Sequence, residues 1–228
     1  MRERSPQTLS EADRRLVAAW AADCVERVLG LFEAEVSGDD RLQALIARTR
    51  AFARGELNTA DEIRRRFTGG VSASEVKSPV AKAIAHAAGQ AVAVCHMGSH
   101  ALSAAAYVAK AIGLANPDQP DAVEDEIHWQ LGHMSPEVRA ALRTLPSVGE
   151  NSSGPLGSGM ALSQVGFIIR ELQAGLALSE EQHALQHEDQ KHSRGTNDND
   201  FTEAVRIMAS TPPISNDEIV KRSKSNKK

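Results

Sequence analysis

Between Val80 and Gly113 the chain is dominated by alanine, the strongest helix former and the smallest side chain that still favours a helix. Such a run folds as helix, and neighbouring helices must pack closely against it, because methyl groups fill little space. Only 4% of the residues are aromatic, against 41% hydrophobic in all, which also favours close helix packing over sheets. Gly89 and Gly98 interrupt the run, each costing about 1 kcal/mol relative to alanine inside a helix. Either the helix breaks at these points or something approaches it very closely. The expectation is an all-α, multi-helix bundle around this central stretch, with a C-terminal helical extension and a disordered tail.

The flanking sequence repeats the helical pattern. Ser10 with Glu11 and Asp13 opens a helix, whose stripe runs Leu16, Trp20, Cys24, Val28 and Leu31. Ser37 and Gly38 break it. A second helix is predicted over 41–54, burying Leu42, Leu45, Ile46, Thr49 and Phe52 and stopped by Gly55; a third, short one runs from 58 or 59 to 67 and ends in Arg64, Arg65 and Arg66. That basic cluster suits the negative end of the helix dipole without any bound anion. Further helices follow over 122–131 and 135–145. Residues 146–159, rich in serine and glycine, read as a flexible linker. Residues 160–190 regain an apolar helical face too large to leave in water, and 191–228 read as a mostly disordered polar and basic tail. One domain over 10–145 is therefore expected, plus an extension.

A net charge of -4 and a pI near 6.1 argue against a dedicated nucleic-acid binder, which needs a basic face for phosphates. Residues 1–10 are polar and charged, unlike a secretory signal or membrane anchor, and Cys24 and Cys95 both fall in apolar helical patterns as small hydrophobes. A cytoplasmic protein is expected, with neither a nucleic-acid nor a membrane partner.

The candidate chemistry lies in Cys95-His96 and His100. Residues four apart in a continuous helix sit roughly 40° apart around the axis and about 6 Å along it, so the two imidazoles would share one small ligand. His86 would lie too far along such a helix to join them. Three readings of His96 and His100 stay open: buried groups satisfied by their neighbours, a pocket shared with Asp23 and Glu126 that does acid and base work, or a metal site, which needs a third ligand at a telling spacing that the sequence does not show. The same spacing recurs in His183 and His187, beside Glu188 and His192, where a solvated surface role is expected. Trp20, Tyr107 and Trp129 read as core aromatics. No nucleophile elbow or phosphate loop occurs.

Four signatures stand in order along the body: Trp20-Ala21-Ala22-Asp23-Cys24-Val25-Glu26; Asp40-Arg41 with Ala51-Phe52-Ala53-Arg54-Gly55-Glu56; His96 through His100 to Ala106-Tyr107; and Glu126-Ile127-His128-Trp129-Gln130. Over about residues 10–145 this order resembles the immunity protein family of the Imm-five-like type. The resemblance implies an all-helical fold and a non-catalytic protein that acts by contact with a protein partner, such as a toxin or a pathway enzyme, without cofactor or metal. Fungal members and the long extension imply an alternative: an accessory protein or cofactor-free enzyme (isomerase, cyclase or dehydratase) of natural-product biosynthesis, acting on a small molecule through His96, His100, Asp23 and Glu126. Homo-oligomerisation is left open.

Overall fold

The computed structural model describes residues 5–65, 68–71 and 73–178. Among these residues it contains ten helices and no strand, which makes the chain an all-α, multi-helix protein. His183, His187, Glu188, His192, the end of the expected extension and the expected tail lie outside the described residues.

The first predicted helix is two. α1 (Glu11–Arg27) begins where the Ser10 hydroxyl accepts from the Asp13 amide at 3.1 Å, and it buries Val17, Ala18, Trp20, Ala21, Cys24 and Val25. At Val28 the backbone leaves the helical region, and α2 (Leu29–Glu35) follows with Phe32 fully buried. Leu16, expected on the buried stripe, is 40% exposed. α3 (Arg41–Ala53) ends at Gly55, whose φ of +79° is open to glycine at little cost. The Glu56 amide then reaches back to the Ala51 carbonyl and the Gly55 amide to Phe52, closing the helix end in a Schellman turn. α4 (Thr59–Arg65) follows.

The alanine-rich stretch is a helical hairpin. α5 (Pro79–Ala93) starts with a serine cap and a proline at its first position, and it runs through Gly89 unbroken. α6 (His100–Ala115) returns along it. α6 is the hub of the bundle, packed on α1 and α5, on α7 (Ala122–Gly132) and on α10 (Gln164–Ala177). Alanine makes this crowding feasible: Ala101, Ala104, Ala105, Ala106, Ala109 and Ala111 are all fully buried, and small side chains let several helices share one neighbour.

α8 (Pro136–Arg143) and the single turn α9 (Ser158–Ala161) complete the set. Residues 146–157, expected as a linker, fold back on themselves: the Gly149 amide donates to Leu156 O and the Ser158 amide to Asn151 O, both at 2.8 Å. Leu156, the one large apolar residue in that run, is fully buried. α10 buries Val165, Ile168, Ile169, Leu172 and Leu176 and packs on α6, α7 and α8. No helix among the described residues is long and apolar enough to cross a membrane.

Candidate functional site

The alanine-rich stretch breaks at one of its two glycines. A Cβ on Gly98 would lie 2.4 Å from Leu9 Cδ1, so the residue must be glycine for the N-terminal segment to seat there. In a continuous helix the Gly98 and Ser99 amides would bond to Val94 and Cys95. Instead they donate to Thr8 O at 3.0 Å and Gln7 O at 3.1 Å. Leu9 itself has a φ of +60°, a strained value for a side chain of its kind. It is held there by its contact on Gly98 and by Arg14, whose Nη1 donates to its carbonyl at 3.0 Å.

His96 therefore lies in the turn between α5 and α6, and His100 is the first residue of α6. The expectation of two histidines on one continuous helix is corrected, yet the turn still brings them together, with ring centroids 6.4 Å apart and planes inclined by 41°. Both are partly buried. His100 Nδ1 lies 2.6 Å from Gln90 Oε1. An amide oxygen only accepts, so in this contact Nδ1 carries a proton and donates it to Gln90. His86, one turn before Gln90 on α5, stacks on Tyr107 with centroids 5.0 Å apart. Among the described residues no three of His, Cys, Asp and Glu come close enough to hold a metal ion.

The two carboxylates meet other partners. Asp23 accepts from Arg50 Nη2 at 2.8 Å, and the same guanidinium pairs with Glu26, which ties α1 to α3. Glu126 has a side chain only 1% exposed and takes both Nε and Nη2 of Arg27 on one oxygen, at 3.1 and 3.0 Å. Its other oxygen accepts from Gln130 Nε2 at 3.0 Å, and the same nitrogen donates to Ala105 O on α6 at 3.1 Å. Trp20 Nε1 donates to the Gln130 carbonyl at 3.0 Å. Burial pushes the Glu126 carboxyl above its ordinary value, outweighing the pull of Arg27 and Gln130. Burial, followed by the charges of Glu126 and Asp23, also raises the Cys24 thiol well above its own, so Cys24 stays protonated and unreactive.

Only one of the aromatic trio is core: Trp20 is 2% exposed, whereas Tyr107 and Trp129 are half-buried. Trp129 is layered between the Arg27 guanidinium, 3.8 Å from its centroid, and the His133 ring at 3.9 Å. Arg27 and Gln130 are thus structural residues that belong to no apolar stripe. The cue for Arg27 was its place one turn after Asp23 on α1, and for Gln130 its place one turn after Glu126 on α7.

A separate open cleft of about 640 Å³ is lined by residues 55–60 with Glu11, Arg15 and Ile63. Arg15 crosses it, bonded to Glu11 at 2.8 Å and Thr59 Oγ1 at 3.2 Å and set over the Phe52 ring. None of His96, His100, Asp23 and Glu126 lines it.

The motif residues lock α1, α3, α6 and α7 together within one all-helical bundle. A family sequence model described as "Imm-5 like putative immunity protein" matches residues 7–137, more than half of the chain. The chain belongs to that family. No curated protein and no solved structure matches it.

Proposed function

We propose that this chain is a non-catalytic binding protein of the immunity type, whose helical body over 10–145 acts by contact with a protein partner. The observation that carries the reading is where the motif carboxylates go. Asp23 pairs with Arg50 and Glu126 with Arg27, each across a helix junction, so these polar signatures hold the bundle's shape rather than face a substrate. A surface of fixed shape is what a binding protein must offer.

One observation favours a second reading, as an accessory protein or cofactor-free enzyme. His96 and His100 stand side by side, with His100 Nδ1 hydrogen-bonded to Gln90, an arrangement suited to moving a proton.

Co-expression with the toxin-type gene encoded nearest to this one separates the two. The binding reading expects growth to be restored, the two proteins to elute together, and a His96→Gln/His100→Gln variant to protect equally well. Absence of both protection and co-elution overturns it. Loss of a small-molecule product in the folded double variant supports the enzyme.

A further inference from the structure

The partner's chemistry can be read from the outer face of the α5–α6 hairpin, an inference that rests on the binding reading above. Between Glu75 and Asp118 the sequence contains no aspartate or glutamate, yet it carries Lys77, Lys82, His86, His96, His100 and Lys110. In a chain with 30 acidic residues and a net charge of -4, this is a local reversal of sign. The fold gathers much of it on one face. Lys82 and His86 are one turn apart on α5 and exposed; Tyr107 and Lys110 are three apart on the adjoining α6 and half-buried. The His86–Tyr107 stack bridges the two helices, and Lys110 is near enough for its charge to act on His86. Beside them Gly89 leaves open space, with nothing within 4 Å of where its Cβ would be.

Among the described residues no carboxylate forms an ion pair with Lys82, His86 or Lys110. Seven arginines outside the hairpin, Arg15, Arg27, Arg41, Arg48, Arg50, Arg54 and Arg64, have carboxylate partners instead. We propose that Lys82, His86, Tyr107 and Lys110 form a recognition face for a carboxylate-rich segment of a partner protein. Charge complementarity of this kind sets orientation and association rate.

Phosphate polymers fit less well. The hairpin has no arginine, the residue whose planar fork matches phosphate, and the molecule's net negative charge repels a polyanion at long range. An anionic membrane fits no better, since the exposed large apolar residues among the described ones, Leu16 and Leu162, lie outside the hairpin.

The test titrates the full chain, labelled with ¹⁵N, with a polyglutamate peptide. A single-stranded DNA oligonucleotide and phosphatidylserine vesicles are run in parallel. Amide shifts centred on Lys82, His86, Tyr107 and Lys110 are expected with polyglutamate, weakening with salt. Lys82→Glu/Lys110→Glu should lower that affinity by about tenfold, with His86→Gln giving a smaller loss and Arg64→Glu on α4 none. Shifts elsewhere, unchanged affinity in the double variant, or tighter binding of DNA or vesicles at these residues would overturn the proposal. Should the charge-reversed pair fail to fold by circular dichroism, Lys82→Gln/Lys110→Gln answers the same question. If the double variant still protects cells from the toxin, the basic face is not the contact, while the binding reading survives.

Discussion

Arg27 on α1 and Glu126 on α7 are joined by two hydrogen bonds to a single carboxylate oxygen, and the same guanidinium covers the face of Trp129. Arg27 is part-exposed and Glu126 is not, so the pair lies between a surface and a buried ion pair in strength. Arg27→Ala leaves Glu126 without its cation and should lower unfolding free energy by about 2 kcal/mol, below the range for a wholly buried pair, measured by urea denaturation. Glu126→Gln should cost less, because the amide keeps a partner in Gln130 and removes the buried charge.

The same carboxyl sets a pH dependence. Burial raises folded Glu126 above its ordinary value of 4.5, so between that value and the folded one the native state binds the proton more tightly than the unfolded chain. Stability from this group is greatest below the window and is lost as pH rises through the folded pKa. Glu126→Gln should abolish that part of the slope, and Arg27→Ala should push the window higher. Urea midpoints across a pH series check both; an identical pH slope in Glu126→Gln and the parent would refute the assignment.

Gln7 is 1% exposed and makes three links: Oε1 accepts from Ser99 Oγ at 3.2 Å and from the Leu156 amide at 3.0 Å, and Nε2 donates to Ser153 O at 2.8 Å. Gln7→Ala strands the Leu156 amide in a dry site. A loss of about 1–3 kcal/mol is expected, together with faster hydrogen exchange at Leu156 than at core amides of α6. Unchanged exchange there would mean the Gln7 contact does not protect the loop.

Gly98→Ala drives a methyl group into Leu9. Overpacking of this kind costs about 1–3 kcal/mol, and the strap over residues 7–9 should detach before the hairpin itself is harmed. Loss of protection at the Gly98 and Ser99 amides, with far-ultraviolet circular dichroism preserved, is the expected signature.

Gln90→Leu removes the acceptor for His100 Nδ1. Imidazole ¹⁵N shifts should report the Nδ1-protonated tautomer in the parent and a shift towards Nε2 protonation in the variant. The Nε2 tautomer in the parent would show that Gln90 presents its amide nitrogen instead.

Periodicity made the helices legible. The Ser10 and Ser135 caps and the Gly55 stop are local signals, and local signals survive folding. The break at Gly98 was visible only as a choice between a kink and a close contact. It proved to be both, because the deciding partner, Leu9, lies in a segment that reads as plain polar chain. The roles of Arg27 and Arg50 are illegible for a related reason: cations outside an apolar stripe look solvated until a neighbouring helix brings a carboxylate to them. Asp23 and Glu126 were picked out as titratable, but their partners, which decide what they do, are fixed by helix crossings that spacing does not encode.

The Gln7 strap ties position 7 to positions 99 and 156, so its contacts span most of the described chain. During synthesis residue 7 is made well before residues 99 and 156, its partners. Until those arrive the strap has nowhere to dock, and the strained Leu9 has no reason to keep its shape. The segment is thus made before its partners and can be fixed only after them.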